Sequence, residues 1–329
     1  MPEPLGEDSV LVRVAYSGIC NSDLHRGFGG GAYLYPLVMG HELSAVVEKS
    51  FAGSRYRPGD RVVVYPLLPC RRCIPCQTGD YAQCMDYDYF GSRRHGGFAE
   101  YLYVPEFNLL PIPQAVDLAH AALTEPCAVA LHGVKRMGIR PGESGCVFGG
   151  GPIGNMVAQW LALRGCRPVF VVDVDPKKLS LAEEMGFVPI DATAGDPVAE
   201  ILSRTAGNGA DRVVEAVGLP KTFLQATQAA ARGGQVVFLG NIRGEFRIGE
   251  KDFSSILRRE LTILGTWNSK VVPEGHNEWT TVLEFMGGGL RIAELISHTP
   301  ELEEGPEIFR GIIEGSLGSY RKIVFRIRP

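Results

Sequence analysis

The chain has 329 residues, of which 45% are apolar and 21% are charged. This balance excludes an intrinsically disordered chain, and a net charge of -4 with no basic block argues against nucleic-acid binding. The longest apolar runs, such as 169–172, are far shorter than the roughly 18 residues that a membrane span needs. The N-terminal residues do not form a signal-peptide pattern. We therefore expect a cytoplasmic globular protein with neither nucleic acid nor membrane as a partner.

The chain begins with a β-rich part and then changes character. Runs of β-branched and aromatic residues predict strands at 10–16, 61–65 and 98–104. The apolar spacing over 117–137 is helical. After this segment, short apolar strands alternate with helices, which is typical of a doubly wound parallel sheet. Its predicted strands are 145–148, 169–173, 212–216 and 235–239, and its predicted helices are 152–163, 176–185 and 221–231.

The last part of the chain is irregular, then helical, and ends in a predicted strand at 322–327. We interpret this tail as a return to the first domain. The sequence thus predicts an α/β protein with a β-rich domain at 1–128, a doubly wound parallel-sheet domain at 129–268, and a returning segment at 269–329.

A glycine-rich loop follows the first strand of the predicted parallel sheet. Residues 149–154 fit Gly-x-Gly-x-x-Gly at the head of an apolar helix, where free N–H groups can receive a pyrophosphate. Asp173 ends the next predicted strand, and a carboxylate there accepts hydrogen bonds from ribose hydroxyls and repels a 2'-phosphate. This pattern predicts NAD rather than NADP. The candidate cofactor-binding residues are Gly149, Gly151, Pro152, Ile153, Gly154, Asp173 and Lys178.

Four cysteines are closely spaced in the β-rich domain. Cys70, Cys73, Cys76 and Cys84 can surround a Zn²⁺ ion with four thiolates and no open position, which is typical of a structural site. An iron–sulfur cluster is the alternative occupant of such a spacing.

A second set of metal-ligating residue types comes from three separated segments. Residues 18–23, 40–42 and 124–126 supply one thiolate, one imidazole and two carboxylates. If the fold brings them together, three protein ligands and an open position would describe a catalytic zinc. Taken alone, each segment is a weak signal, since His41 could be a core histidine and Glu125 an acid on a helix surface.

Together with Gly-Asp-Arg-Val at 59–62, these motifs resemble the zinc-containing medium-chain dehydrogenase/reductase family over essentially the whole chain. Within that family, residues 66–70, 89–94, 96–101 and 257–261 are most similar to the galactitol-1-phosphate 5-dehydrogenases and the sorbitol (polyol) dehydrogenases. The resemblance implies a GroES-like catalytic domain split around a Rossmann domain. It also implies NAD, one catalytic and one structural zinc per chain, and a homodimer or homotetramer.

The resemblance also assigns roles to individual residues. Cys20, His41 and Glu125 would bind the catalytic zinc, with Glu42 as a fourth ligand or a neighbouring carboxylate. A glutamate at 125, where simple alcohol dehydrogenases have a cysteine, indicates the polyol branch. Asp23 would orient the histidine ligand. The proton would pass through Ser22 and His25, so that the candidate catalytic residues are Ser22, His25 and Glu42.

Substrate recognition is predicted for two regions. Arg93 and Arg94 would bind a phosphate group, and His95 stands where related loops often carry aspartate. Trp267 and Asn268 would line the pocket by similarity to the family.

These residues predict an enzyme that transfers a hydride from a secondary alcohol of a polyol or polyol phosphate to NAD, giving a ketone. The alternative substrates are a threonine-like amino alcohol and a cyclitol or sugar intermediate of biosynthesis. A third hypothesis, a non-catalytic protein like the lens crystallins of this family, predicts that the zinc ligands are lost. Cys20, His41, Glu42 and Glu125 are all present.

Overall fold

The computed structural model describes residues 2–272, 275 and 277–328. The chain divides into two compact units. The first unit joins residues 1–128 to residues 269–329, and the second comprises Val129–Asn268. None of the helices in the described part of the chain has both the length and the apolar character that crossing a bilayer requires.

Strands occur in both units. In chain order, those of the described residues are β1 (Ser9–Gly18), β2 (Glu42–Lys49), β3 (Arg61–Val64), β4 (Leu67–Leu68), β5 (Asp88–Tyr89), β6 (Tyr101–Pro105), β7 (Leu109–Pro111), β8 (Gly145–Phe148), β9 (Val169–Asp173), β10 (Val188–Asp191), β11 (Ala210–Glu215), β12 (Ala230–Phe238), β13 (Thr262–Gly265), β14 (Ile296–His298) and β15 (Lys322–Arg326).

Helices connect most of these strands. They are α1 (Asn21–Phe28), α2 (Ile74–Gln77), α3 (Leu118–Ala121), α4 (Thr124–Lys135), α5 (Pro152–Leu163), α6 (Pro176–Glu184), α7 (Pro197–Arg204), α8 (Pro220–Ala229), α9 (Glu250–Arg258), α10 (Glu278–Met286) and α11 (Gly305–Glu314). Short 3-10 helices occupy Tyr81–Gln83, Glu106–Asn108, Ala293–Leu295 and Leu302–Glu304.

The first unit is built on a seven-stranded sheet. Its strands follow the order β14-β15-β1-β2-β3-β7, and β6 also pairs with β1. The central strand β1 pairs antiparallel with β2, β6 and β15. Val10, Val12 and Val14 of β1 enter one buried core cluster, because alternate residues of a strand face the same side. Since β15 pairs with β1, the C-terminal strand completes the sheet that the N-terminal residues begin.

The second unit contains the parallel sheet that the sequence predicts. Its six strands follow the order β10-β9-β8-β11-β12-β13, and every neighbouring pair is parallel. All four residues of β8 are buried, as expected for a strand covered on both faces. The strand order reverses at β8, and the loop that follows such a strand is the usual ligand-binding point of this fold. The predicted α/β fold class is confirmed.

One predicted helix is divided in two. The helical pattern over 117–137 forms α3 and α4 with a break between them. At the break, the Thr124 hydroxyl donates to the carbonyl oxygen of Ala121 at 2.7 Å. A threonine hydroxyl that binds a backbone carbonyl in this way competes with regular helix geometry.

The strand predicted over 98–104 begins later, at Tyr101. Before it, the backbone N–H groups of Gly97 and Phe98 donate to the carbonyl oxygens of Gly40 and Met39, at 2.8 and 2.9 Å. A Cβ atom on the neighbouring Gly96 would collide with the carbonyl oxygen of Gly40. Glycine is therefore required where these two segments touch.

Candidate metal centre and cofactor loop

Three candidate metal ligands meet where β1 ends and β2 begins. Gly18 of β1 pairs with Glu42 of β2, so Cys20, just after β1, comes next to His41 and Glu42. One ligand atom from each of Cys20, His41 and Glu42 lies within 4.8 Å of the others. A thiolate, an imidazole and a carboxylate form a donor set that suits zinc. The antiparallel pairing of two strands thus assembles donors from separate segments.

Asp23 is fully buried beside this cluster. Its Oδ2 accepts a hydrogen bond from the backbone N–H of Cys20 at 2.9 Å, and its Oδ1 lies 3.5 Å from Nδ1 of His41. Burial alone would lower the pKa of His41, but the Asp23 carboxylate outweighs this effect and raises that pKa well above its usual range. Asp23 therefore lies directly beside two of the three donors.

Glu42 forms a buried ion pair that sequence reasoning missed. Nζ of Lys322 donates to Oε1 of Glu42 at 2.6 Å and to the carbonyl oxygen of Ile19 at 2.8 Å. Burial would lower the pKa of Lys322, but the Glu42 carboxylate raises it. The only sequence signal was a lysine directly before the apolar residues Ile323, Val324 and Phe325 of the C-terminal strand. Lys322 neutralises Glu42 in a place that water does not reach.

The fourth predicted donor, Glu125, lies in the first turn of α4. It is 8% exposed, and its Oε1 accepts a hydrogen bond from the Tyr89 hydroxyl at 3.2 Å. Burial raises the pKa of Glu125 to about 7, opposed by the charge of His41 and assisted by that of Glu42. The ring of Tyr89 also meets the ring of His41 edge-on at 5.9 Å. Tyr89, to which sequence reasoning gave no role, therefore touches two candidate ligands.

The four-cysteine segment forms a separate cluster. The sulfur atoms of Cys70, Cys73, Cys76 and Cys84 lie within 4.8 Å of one another, and all are free thiols. Four sulfurs around a zinc ion would be about 3.8 Å apart, since Zn–S is about 2.3 Å. Backbone N–H groups, first that of Arg72, lower the pKa of the Cys70 thiol to about 6. The donor set fits a closed four-sulfur metal site.

The two predicted proton-transfer residues lie on α1. The Ser22 hydroxyl accepts a hydrogen bond from Arg26 at 2.9 Å and is half-buried. His25 is exposed one helical turn further on. A Cβ atom on Gly31 would collide with the His25 ring, so this ring packs against the loop that follows α1.

The two predicted phosphate-binding arginines have different surroundings. The guanidinium carbon of Arg93 lies 4.8 Å from the ring centre of Tyr33 and 4.2 Å from that of Tyr87. Arg93 donates only to the carbonyl oxygen of Tyr87, at 2.9 Å, and no carboxylate of the described residues pairs with it. Arg94 instead forms an ion pair with Asp88 at 2.6 Å. Of the two, Arg93 keeps its charge available to a ligand.

The remaining predicted substrate residues fall in both units. His95 is exposed, and its Nδ1 accepts a hydrogen bond from the backbone N–H of Val38 at 3.1 Å. Trp267, at the end of the second unit, is 53% exposed. Asn268 follows it with a left-handed φ of 53°, which asparagine tolerates better than most residues.

The glycine-rich loop connects β8 to α5 in the second unit. Gly149 has a φ of 104°, and a Cβ atom on Gly154 would collide with the carbonyl oxygen of Gly149. A Cβ atom on Gly151, by contrast, would meet nothing within 4 Å. Pro152 and Ile153, both half-buried, begin the helix. The loop is therefore tightly packed between Gly149 and Gly154, whereas the space beside Gly151 is free. An anion can bind there to the N–H groups at the start of the helix.

Asp173 lies beside this loop at the end of β9. Its Oδ2 accepts a hydrogen bond from the backbone N–H of Gly150 at 2.6 Å. Its Oδ1 accepts from the N–H groups of Val174 and Asp175, at 2.8 and 2.9 Å. Nζ of Lys178 lies 3.9 Å from the same oxygen. The backbone thus holds this carboxylate at the edge of the sheet where a dinucleotide would bind.

Two family models match the chain. Residues 6–114 match the alcohol dehydrogenase GroES-like domain, and residues 152–287 match the zinc-binding dehydrogenase model. The chain is also 32% identical over 322 residues to galactitol 1-phosphate 5-dehydrogenase of Escherichia coli, which covers 96% of this chain and 92% of that protein. The chain belongs to the zinc-containing medium-chain dehydrogenase/reductase family. The predicted combination of a GroES-like and a Rossmann domain is confirmed.

Further relatives place this medium-chain dehydrogenase close to the polyol dehydrogenases. A crystal structure of galactitol-1-phosphate dehydrogenase from Escherichia coli has a TM-score of 0.93 at 31% identity, covering 99% of this chain and 94% of that one. The probable D-xylulose reductase A of Arthroderma otae is 31% identical over 328 residues, or 95% of this chain and 90% of that protein. A zinc-binding dehydrogenase of Sinorhizobium meliloti, bound to NADP, has a TM-score of 0.90 at 33% identity, covering 99% and 93%. The chain is thus similar to zinc-binding dehydrogenases, one of which was crystallised with a nicotinamide cofactor.

The contact between Tyr89 and Glu125 leads to a first prediction. Tyr89→Phe removes the hydroxyl that holds Glu125, and we expect about tenfold faster release of one zinc ion to a chelator, since outer hydrogen-bond partners of ligands typically affect metal affinity 10–100-fold. Tyr65→Phe is the matched control, because the hydroxyl of this buried tyrosine has no hydrogen-bond partner in the described part of the chain. Equal release rates in the two variants would contradict a positioning role for Tyr89.

The raised pKa of Glu125 leads to a second prediction. In the folded, metal-free protein this carboxyl keeps its proton up to about pH 7, whereas an unfolded glutamate loses it near pH 4.3. Folding therefore binds a proton in this window, and the stability of the metal-free protein should fall as the pH rises, by about 4 kcal/mol for this group. The raised pKa of His41 acts in the same direction.

Zinc replaces these protons when it binds. Added zinc should therefore raise the melting temperature of the chelator-treated protein more at pH 8 than at pH 5.5. Glu125→Gln cannot ionise, so it should make the metal-free protein less sensitive to pH over this range. A zinc-induced increase that is the same at both pH values would argue against metal binding at this cluster.

Proposed function

We propose that this protein is a zinc- and NAD-dependent dehydrogenase that oxidises a secondary alcohol of a polyol or polyol phosphate to a ketone. The observation that carries the proposal is the buried cluster in which Cys20, His41 and Glu42 bring their ligand atoms within 4.8 Å of one another. Such an oxidation removes a proton and a hydride from the substrate, and the hydride reduces the nicotinamide.

In this proposal Cys20, His41 and Glu125 bind the catalytic zinc, with Glu42 next to them. A zinc ion held there would supply Lewis acidity, which would lower the pKa of a bound alcohol towards neutrality. Asp23 keeps the His41 ring in the orientation that presents its other nitrogen to the metal. The charge of Lys322 neutralises the Glu42 carboxylate, which makes Glu42 a weaker metal ligand than a free carboxylate.

Ser22 and His25 carry the substrate proton towards solvent. Ser22 follows Cys20 closely in the chain, and its hydroxyl accepts from Arg26, so its own hydrogen remains available for donation. His25 lies one turn away at the exposed surface, where its ring can pass a proton to water.

The choice of NAD rests on Asp173. Three backbone N–H groups hold its carboxylate beside the glycine-rich loop, where it can bind ribose hydroxyls and repel a 2'-phosphate. Lys178 is the only lysine paired with it in the described chain and weakens that repulsion. A kinetic comparison of NAD with NADP tests this choice directly.

The four-cysteine cluster is proposed to hold a second, structural zinc. Its four sulfur donors leave no position for substrate. A homodimer or homotetramer is supported by β13, an edge strand of the parallel sheet with Ile263 39% exposed, because an unpaired edge is a template for pairing. Light scattering would distinguish the assemblies from a monomer.

Phosphate recognition is assigned to Arg93. Two tyrosine rings hold its guanidinium group, and a planar, charged fork of donors suits a phosphate. Ring contacts continue from Tyr87 to Tyr89 at 6.2 Å and from Tyr89 to His41 at 5.9 Å. Arg93 and the candidate metal centre are therefore connected through neighbouring aromatic side chains of the first unit.

The proposal is tested by turnover of zinc-loaded protein with NAD. Galactitol 1-phosphate, galactitol, sorbitol, xylitol, threonine and myo-inositol are compared, with reduced nicotinamide as the readout. We expect turnover of a polyol or its phosphate and a loss of at least a hundredfold in Glu125→Gln, since the charge that balances the metal is removed. If only threonine or myo-inositol is turned over, the substrate is one of the alternatives and not a polyol. If no compound is turned over, the proposed polyol dehydrogenase activity is refuted.

The role of Arg93 makes a separate prediction. Arg93→Gln should raise KM for galactitol 1-phosphate about tenfold or more, because a charge-assisted bidentate contact is lost, while KM for galactitol stays unchanged. Arg94→Gln is the matched control, since Asp88 already neutralises Arg94. Similar KM increases in both variants, or an increase for galactitol as well, would count against phosphate recognition by Arg93.

A further inference from the structure

The second unit has a cavity of about 1060 Å³ at the edge of its sheet where the strands begin. Its lining includes Ser144 and Pro168, directly before β8 and β9, and Gly209 and Ala230, at the starts of β11 and β12. Because all these strands are parallel, the cavity lies at the opposite edge from the glycine-rich loop. Its volume is in the range of small-molecule sites. It is therefore a concave site distinct from both sites described above.

Basic side chains predominate in this lining. They are Arg167, Arg204, Arg232, Lys251 and Arg259, against the two acids Asp211 and Asp252. Arg204 is paired outside the lining, with Glu200 at 2.8 Å. The other four basic residues have no carboxylate within ion-pair distance among 2–272, 275 and 277–328. The cavity thus carries an excess of positive charge that the protein itself leaves uncompensated.

The two acids of the lining are engaged by uncharged donors. Oδ2 of Asp211 accepts from the backbone N–H and the hydroxyl of Ser144, at 2.8 and 2.6 Å. Oδ1 of Asp252 accepts from the side-chain amide of Gln228 at 2.9 Å. These carboxylates organise the cavity wall without forming ion pairs with its cations.

Arg259 is held rigidly in the wall by neutral acceptors. Its guanidinium group donates to the carbonyl oxygens of Thr227 and Ala230, both at 2.7 Å, and to the hydroxyl of Ser255 at 3.0 Å. Carbonyl and hydroxyl oxygens satisfy its donors but leave its positive charge in place. Arg259 is half-buried, so water screens this charge incompletely.

Arg232 lies next to Arg259 and adds a second charge. Its guanidinium group donates to the carbonyl oxygen of Arg258 at 3.2 Å. The backbone N–H of the next residue, Gly233, donates to the carbonyl oxygen of Arg259 at 2.7 Å. Burial, and then repulsion from Arg232, lowers the pKa of Arg259. Two like charges held together without a carboxylate are unfavourable, and a bound anion would relieve the repulsion.

Lys251 is in an unfavourable position for stabilising its own helix. It occupies the first turn of α9, and a cation there opposes the helix dipole. It has no ion-pair partner in the described part of the chain. Its charge contributes to the cavity instead.

We propose that this cavity binds a phosphate-bearing small molecule, with Arg232, Arg259 and Lys251 as the phosphate-binding residues. Arginine binds phosphate through a planar fork of donors, and lysine binds it as a point charge. The cavity is larger than inorganic phosphate requires, so the ligand has an organic part that the neutral polar lining contacts. The proposal does not rest on the proposed dehydrogenase activity, because the lining includes no residue of the metal cluster or of the glycine-rich loop.

Calorimetric titration tests the proposal without any need for turnover. The intact zinc-loaded protein, with NADH present to occupy the glycine-rich loop, is titrated with ribose 5-phosphate, ribose and inorganic phosphate. We expect ribose 5-phosphate to bind more tightly than inorganic phosphate, and ribose not to bind. Arg232→Gln and Lys251→Gln should each weaken ribose 5-phosphate binding about tenfold, as expected for the loss of one charge-assisted contact.

Arg247→Gln is the matched control. It removes the same charge from the same unit, but Arg247 lies outside the lining and pairs with Glu245, so its variant should bind as the unmodified protein does. Melting temperatures without ligand distinguish weakened binding from weakened folding, and Lys251, on an exposed helix position, provides a second variant if Arg232→Gln folds poorly. The proposal is overturned if ribose 5-phosphate does not bind, if binding survives in both cavity variants, or if Arg247→Gln weakens it equally.

Discussion

The buried ion pair between Lys322 and Glu42 joins the two segments of the first unit at the candidate metal centre. A carboxylate, an imidazole and a second carboxylate cannot be buried together without compensating charge or protons. Lys322 supplies one such charge from the last strand of the chain, and it reaches Glu42 because β15 and β2 both pair with β1. The metal cluster therefore depends on a completed sheet, with its first and last strands both in place.

The other donors depend on similar partners from separate elements. Asp23 supports Cys20 and His41 from α1, and Tyr89 supports Glu125 from β5. Glu125 has no cation in direct contact among the described residues, and burial raises its pKa to about 7. In the absence of metal it is therefore partly protonated at neutral pH. A metal ion that binds Glu125 displaces this proton, so metal binding at this position depends on pH.

The parallel sheet of the second unit has two chemically different edges. At the edge where strands end, helix N-termini and the glycine-rich loop present N–H groups, which suit a pyrophosphate without any basic side chain. At the edge where strands begin, helices end in carbonyl groups, and anion binding there requires side-chain cations. Arg259 donates hydrogen bonds to carbonyl oxygens at the C-terminal end of α8 and still faces the cavity with a positive charge. The same parallel sheet thus carries two proposed anion sites, one formed by backbone N–H groups and the other by side-chain cations.

The sequence by itself determined the features that depend on short spans of chain. The alternation of strands and helices predicts the parallel sheet, the glycine loop is defined by six neighbouring residues, and the four cysteines lie in one short segment. Each depends on local backbone geometry, so residue type and spacing are sufficient. The resemblance to a family then proposed which distant residues act together, including Cys20, His41 and Glu125.

Only the tertiary structure decided which side chains surround these residues. Lys322 and Tyr89 carry no local pattern. The contact of Lys322 with Glu42 follows from the pairing of β15 and β2 with β1, whereas the contact of Tyr89 with Glu125 joins strand β5 to helix α4. The difference between Arg93 and Arg94 is likewise invisible in two adjacent arginines, because it depends on which of them Asp88 reaches. The basic cavity combines residues of three helices, two strands and several loops of the second unit. Contacts between segments far apart in the chain are set by packing and strand register, which a sequence pattern does not encode.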